Sequence, residues 1–551
     1  MGSKKKQMDK TISPLYLIER GIYFIATCCT ISYMCYSVYK DSIKYDGILN
    51  LYDFDKGWFW LNKEQDISNF EWRFWYMMFW RVWPWYVGHI AIGKIALWNK
   101  PSARKYMFLL YSLVTVSRLV GWRSVVLFLV HCIVLFVTAI PGYTTPVWIV
   151  SLLSLSTLNF EPFISMMKDL VEDDPEETWY YLLMFTLALL NIKSTSFCLE
   201  KCWNKQRKMK TSKQDIVSEE TLYKEIRPED RVTDSFGTTQ TDDDGGSFGY
   251  SLIDHLTYIF YIPLYFTGPL LTYNLFKQQM NKPVQDITTP STSTLMLHVV
   301  RFCFWAGFNE FLLHFLYFNA LQHNHTALKS VSLFTLAGIG YLHGQFFMMK
   351  YLVMFGLPGT IAKFDYLDPP DGPKCISYIY LYSDMWKYFD RGLYSFLKRY
   401  IYVPCGGSKT GVHRQILASL LCFMYIFYWH GAEQYILLWI LLNYAGVSLE
   451  KIGSLICNIS LIKHLETNIL SASMVQRIHA FFSIPIFLVS CFSMFCFFGG
   501  KSVGYIFYKR LILQGTFSSF AVLVVLVYCA IQNGIEVNRW MLHKQQKMKQ
   551  S

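Results

Sequence analysis

The stretch FMYIFYWHGAEQY, residues 423–435, sets His430 and Glu433 between runs that are otherwise fit for lipid. Upstream, Asp390 closes the segment SDMWKYFD. An ionisable side chain at mid-membrane costs about 2.5–3.5 kcal/mol on insertion scales, so two in one region point to function. An imidazole and a carboxylate can share the proton traffic of group transfer, one accepting a proton while the other polarises or protonates. Each residue also has a structural reading. His430 can be a core histidine bonded across helices, and Asp390 an N-cap or a partner of Lys387 or Arg391.

The elements that would position these groups are unusual. The run DYLDPPDGPKCISYIYLYSDMWKYFDRGLYSFLKRYIYVPCGG, residues 365–407, is broken by Pro369, Pro370 and Gly372 and again at Pro404-Cys405-Gly406-Gly407. It is too polar to span lipid freely and too apolar for an exposed loop. Non-helical backbone at membrane depth is tolerated where it lines a cavity or is buried in protein, so this segment is expected to wall a cavity.

The chain has 551 residues, 53% hydrophobic and only 16% charged, against the roughly 25% charged of soluble domains. Mean hydropathy is +0.24. Candidate spans fall at 12–38, 74–98, 105–120, 124–140, 146–158, 178–198, 251–276, 294–320, 328–356, 412–429, 433–449, 477–498 and 511–532. A full crossing needs about 20 apolar residues; the stretch 146–158 is too short, so some pieces are re-entrant or interfacial, and about 10 to 12 transmembrane or re-entrant elements are expected. The aromatic residues, 18% of the chain, suit the water–lipid boundary. The first apolar stretch, interrupted by Glu19 and Arg20, reads as a retained signal anchor.

Two polar segments flank the spans. Residues 39–73 carry more acids than bases and read as lumenal, whereas residues 199–249 begin basic, end in an Asp/Gly/Ser/Thr tract and read as a flexible cytosolic loop. Net charge is +12, concentrated at both ends and in that loop, as for segments lying against an anionic leaflet. No interleaving of basic and aromatic residues suggests nucleic-acid binding. The expected organisation is a basic cytosolic N-terminus (1–11), N-terminal membrane helices (12–198), the polar loop (199–249), a catalytic core (250–535) and a basic cytosolic tail (536–551). Lys547 and Lys549 sit as in a dilysine retrieval signal of the endoplasmic reticulum. The 14 cysteines are scattered, many in apolar runs, with no metal spacing between cysteine and histidine. Cys202, between Lys201 and Trp203, is a candidate for S-palmitoylation. His89, His255, His298, His314 and His343 read as structural hydrogen-bonders, with Glu310 and His314 one helical turn apart.

The motifs MWKYFD, RYIYVPCGG, YWHG and LNYAGVSLE resemble the membrane-bound O-acyltransferase superfamily and, within it, the hedgehog acyltransferase branch. The segments NFEWRFWYMMFW, TSFCLEKCW, YIPLYFTGPLLTYNLF, KYLVMFGLP and FFGGKSVGYIFYKRLILQGT carry the resemblance along nearly the whole chain; residues 204–249 and the basic N-terminal extension have no counterpart in it. The resemblance implies an all-α polytopic membrane protein whose helices surround a central tunnel. It implies transfer of palmitate from palmitoyl-CoA to the N-terminal cysteine amine of a secreted signalling protein, of Hedgehog or growth-factor type, in the endoplasmic-reticulum membrane. The superfamily histidine falls on His430 and its second polar residue on Asp390; Asn443 matches a supporting position and Trp386 a gating tryptophan. Cys375 falls where that branch holds the iron of a haem b, here expected to be structural, since acyl transfer needs no redox step. Lys398, Arg399 and Lys409 are candidates for the acyl-CoA phosphates.

The chemistry asks for a group to take the proton of an amine whose ordinary pKa is about 7.7–8.0, which suits Asp390, and for one to act on the thioester, which suits His430. Burying the palmitoyl tail, at about 0.8 kcal/mol per CH₂, supplies about 10 kcal/mol before losses. Two other classes stay open at this stage: an acyltransferase for a glycerolipid or GPI-type lipid, and a non-catalytic scaffold or transporter, since buried charge in many-span proteins often serves transport.

Overall fold

The computed structural model describes residues 13–99, 103–171, 178–218, 248–282, 290–407 and 411–550. It is 81% helical. Among the described residues one small antiparallel hairpin is present, pairing Phe54–Lys56 with Glu64–Asp66. Among the described residues five helices are long and apolar enough to cross a membrane: Leu17–Ile48, Trp179–Lys210, Gln434–Cys457, Ala472–Leu513 and Phe517–Lys544. The bent pair Thr144–Thr157 and Glu161–Leu170 brings the number to six if it forms a single span. Several sequence runs read as membrane elements fold into helices too short for a full crossing, such as Arg104–Val120 and Trp122–Thr138, of 17 residues each.

The chain forms two compact units. The first comprises residues 1–76, 300–356 and 371–551, and the second residues 77–299 and 357–370.

In the first unit, helix Leu17–Tyr45 turns Leu17, Ile18, Ile22, Phe24 and Ile25 outward. A contiguous exposed apolar face of this kind suits lipid rather than water. Its other side packs on the last helix, Phe517–Gln550, where Asn533 Nδ2 donates to Tyr23 O at 2.9 Å and to Thr27 Oγ1 at 2.7 Å. Arg20 and Arg477 pair with Glu536 and Glu19 at 3.2 and 2.7 Å. The hairpin is held by buried Asp66, which accepts from the Asn319 and Ala320 backbone N–H groups, both at 3.1 Å. Helix Ala472–Tyr508 contains Pro485 and a kink at Gly500, whose φ of 73° favours glycine.

In the second unit, Trp179–Lys210 is the central helix. The most apolar window of this helix is 83% buried, against 11–28% for the other four candidate spans, so protein rather than lipid surrounds it. It is part of Thr178–Ser218, which carries helix well into the segment read as a flexible loop. The run KCWNKQRKMK contains no proline or glycine and is rich in good helix formers, so nothing stops the helix at the membrane edge. Cys202, a candidate for S-palmitoylation, is fully buried, its thiol directed at the carbonyls of Ala139 and Tyr143. That position withdraws it from a modifying enzyme. One buried carboxylate here is well partnered: Asp365 meets His89 at 2.7 Å, the Tyr261 hydroxyl at 2.6 Å and Arg104 at 3.6 Å.

Candidate active site

The candidate site is built in the first unit. Helix Val412–Trp429 ends at His430, whose N–H bonds to Ile426 O at 3.0 Å. Gly431 and Ala432 follow with φ of 95° and 57°, and helix Gln434–Cys457 begins at once. The left-handed pair makes the turn tight enough to keep His430 between two apolar helices. Gly431 adopts that conformation freely, while Ala432 does so against its Cβ, a local strain of the kind that clusters at functional sites. Glu433 is exposed and precedes the helix Gln434–Cys457 without a side-chain cap bond.

The His430 ring sits in an aromatic box, edge-on to Trp429, Trp439 and Phe497 at centroid distances of 4.9, 5.7 and 5.9 Å. The Trp439 indole N–H is buried and has no acceptor among the described residues. Buried donors are rarely left so, and a bound carbonyl or water would satisfy it.

Asp390 caps the short helix Arg391–Leu397, its Oδ1 accepting the Leu393 N–H at 2.8 Å. The cap reading of the sequence is therefore one thing Asp390 does. Its flanking Arg391 pairs elsewhere, with Asp371 at 2.8 Å. Asp390 lies outside the spanning helices, and burial raises its carboxyl to about 6 against the backbone N–H groups of Leu393 and Gly392, which favour the charge.

Three aromatic rings link the neighbourhoods of Asp390 and His430. Phe389 stacks on Phe347 at 4.8 Å, Phe347 meets Phe497 at 5.9 Å, and Phe497 meets His430. Beside this ladder stands a polar group that the sequence reading did not single out. The Glu71 carboxylate accepts from the Tyr351 hydroxyl at 2.6 Å and pairs with the buried Lys350 ammonium. It lies within electrostatic reach of His430, and Tyr351 lies within reach of Asp390. Lys350 stands alone in the apolar run FFMMKYLVMF, a signal of the same kind as His430.

The other expected residues fall as follows. The Trp386 Nε1 donates to Asn443 Oδ1 at 3.0 Å, and Asn443 Nδ2 donates to Trp439 O at 2.7 Å. The rings of Trp386 and Trp439 are 5.5 Å apart, so both expected supporting residues adjoin the His430 box. Trp386 also packs edge-on to Phe423 at 5.0 Å. Lys398 and Arg399 open the π-helical turn Lys398–Tyr402 and are partly exposed; the Arg399 guanidinium lies over the Tyr400 ring at 5.9 Å. Lys409 lies outside the described residues. Cys375 is a free, partly buried thiol at the start of the turn Ile376–Tyr378. Its sulfur is in no bond to another cysteine, so it is available as a thiolate ligand. Of the histidines set aside, His314 is fully bonded, from Nδ1 to Glu310 O at 2.8 Å and at Nε2 from the Trp58 N–H at 2.9 Å. Glu310 in turn binds the Trp72 and Gln65 side chains.

These features define a polytopic, mostly helical membrane protein with a histidine boxed by aromatic rings and a partly buried carboxylate linked to that box through a series of ring contacts. The chain belongs to the membrane-bound O-acyltransferase family, whose model matches residues 133–494. It is similar to the protein-cysteine N-palmitoyltransferase HHAT of Mus musculus, 30% identical over 482 residues, covering 87% of this chain and 90% of that protein. It is similar also to the protein-cysteine N-palmitoyltransferase Rasp of Drosophila melanogaster, 27% identical over 530 residues, 94% of this chain and 95% of that one. The membrane-bound O-acyltransferase GUP1 of Saccharomyces cerevisiae is 25% identical over 466 residues, 79% of this chain and 78% of its own. The protein is thus a multi-pass membrane acyltransferase by family.

Proposed function

We propose that this protein transfers palmitate from palmitoyl-CoA to the N-terminal cysteine amine of a secreted signalling protein, of Hedgehog or growth-factor type. The observation that carries this reading is the likeness, over nearly the full length of both chains, to two protein-cysteine N-palmitoyltransferases. In the proposed reaction the amine nitrogen attacks the thioester carbonyl carbon, the C–S bond breaks, and CoA leaves as a thiolate that ends as the thiol. Asp390 takes the proton from the amine. His430 and the orphaned Trp439 N–H face the thioester carbonyl oxygen and stabilise the charge that gathers there. Trp386, held by Asn443, lies against this box and gates the acyl chain. Lys398, Arg399 and Lys409 meet the phosphates of CoA.

Cys375 would in this reading hold the iron of a structural haem b through its sulfur, and that sulfur is free and partly buried. Haem would supply a rigid insert and no step of the transfer.

The protein is proposed to reside in the endoplasmic-reticulum membrane with both termini in the cytosol, the 39–73 segment in the lumen and the polar 199–249 segment in the cytosol. The pairing of Arg20 with Glu536, and of Ser13 with the same carboxylate at 2.8 Å, supports the two termini leaving on one face. The core is proposed to run over residues 250–535, followed by a basic cytosolic segment at 536–551.

The test is to incubate the purified protein with labelled palmitoyl-CoA and a peptide beginning with cysteine. The expected product carries a label that survives hydroxylamine, marking an amide. The likeness to GUP1 favours a second reading, in which the acceptor is the hydroxyl of a lipid. Label appearing only in lipid would replace the first reading with this one.

A further inference from the structure

The ends of two helices bring together three side chains that neither the transfer chemistry nor the aromatic box uses. Cys457 is the last residue of helix Gln434–Cys457, Glu466 lies in the π-helical turn Leu465–Ile469, and His479 lies near the start of helix Ala472–Tyr508. His479 Nε2 is 2.7 Å from Glu466 Oε1 and 3.9 Å from Cys457 Sγ, and the three donor atoms lie within 4.8 Å of one another. In sequence the residues are too far apart to form a recognisable spacing. The cluster exists because the loop between the helices folds back over their ends.

We infer that Cys457, Glu466 and His479 form a zinc site that clamps the end of one helix to the start of the next. Thiolate, imidazole and carboxylate are the donor types zinc takes, at about 2.3, 2.0–2.1 and 2.0–2.2 Å. Around a tetrahedral ion these bond lengths put S and N about 3.6 Å apart and N and O about 3.4 Å apart. The Cys457–His479 separation is already close to that value. The Glu466 carboxylate must draw back by about 0.7 Å, within the freedom of its side chain. His479 and Glu466 are 45% and 23% exposed, which leaves a path for the ion and room for a water as fourth ligand. Binding releases the thiol proton to solvent and holds the imidazole neutral. The two clamped helices carry Trp439 and Asn443 on one and Phe497 on the other, so the site fixes the register of the His430 box from a distance.

The experiment uses the full-length protein in detergent, stripped of metal by chelation and titrated with cobalt(II). A thiolate-to-cobalt charge-transfer band is expected at one equivalent per chain, displaced by zinc. Cys457→Ser and His479→Ala should abolish it, and Glu466→Gln should weaken binding about tenfold or more, the size typical of an altered ligand shell. X-ray absorption on the zinc-loaded wild type, which needs no variant to fold, should show one sulfur and two or three lighter ligands. No stoichiometric band, a band unchanged in Cys457→Ser, or a zinc shell with no sulfur or several would overturn the assignment.

Discussion

The indole N–H of Trp386 donates to the Asn443 side-chain oxygen at 3.0 Å, and the Asn443 amide is itself fixed by Trp439 O at 2.7 Å. Asn443 is 3% exposed, so its partners are set by protein alone. Asn443→Leu removes the acceptor and leaves a partly buried indole N–H unpaired, at a cost of up to about 1 kcal/mol. Transfer should fall more than stability does, because the Trp386 ring loses its orientation beside the acyl chain. The readout is kcat against thermal midpoint. Equal activity at lowered stability would make the bond purely structural.

His430→Ala and Asp390→Asn should each lower the transfer rate by about 10²–10⁴, the usual worth of an acid–base group. Asp390→Asn keeps an oxygen to cap the Arg391–Leu397 helix, whereas Asp390→Ala also loses the cap at about 1 kcal/mol. The asparagine variant therefore separates chemistry from folding, with gel filtration and thermal denaturation as controls. If Asp390→Asn turned over at the wild-type rate, the carboxylate would be a cap and nothing more.

The Asp390 carboxyl is raised to about 6 by burial. A base must be unprotonated to accept, so kcat should fall as pH drops through that value, about tenfold per unit below pH 5. Stability moves the other way for this group. Its folded-state pKa lies above the unfolded value of about 3.9, so between the two values the folded chain takes up the proton and gains stability as pH falls. An acid loss of rate without unfolding is the expected signature, and it should vanish from the residual rate of Asp390→Asn.

Sequence made the two central residues legible for a physical reason: charge is costly in an apolar context, and His430 and Asp390 stand out against theirs. The same rule, applied to Lys350, would have found the Glu71–Tyr351–Lys350 group. It was missed because Glu71 lies within the stretch read as a polar lumenal segment, and the two halves meet only in the fold. The number of spans was not legible from hydropathy alone, since an apolar run can be a buried helix as readily as a crossing one. Trp179–Lys210, apolar and buried in protein, and the 17-residue helix Trp122–Thr138 are both read as spans by composition. The helical course of 199–218 was hidden by its charge, which says where a segment lies and not whether it is ordered.

Cys375→Ser should yield a folded protein without the haem absorption bands expected of the wild type, with transfer activity reduced indirectly. The spectrum of the purified wild type is the first check. Bands that persist in the serine variant would move the ligand elsewhere, and their absence from the wild type would remove haem from the proposal.

Helix Gln434–Cys457 comes close to Tyr382 at Gly446, where a Cβ would overlap the Tyr382 ring. Both are buried, and a ring cannot yield as the end of a flexible chain would. Gly446→Ala should therefore cost about 1–3 kcal/mol through overpacking, although alanine is the better helix former. Asn443 lies three residues before Gly446, nearly a turn away, and Trp386 lies four residues beyond Tyr382. Displacing the Tyr382–Tyr388 helix should thus stretch the Trp386–Asn443 bond as well. The double variant Gly446→Ala/Tyr382→Leu removes the ring that clashes and should recover part of both stability and rate. A single variant as stable and active as the wild type would mean that the helices slide apart at no cost, and that the His430 box does not depend on their register.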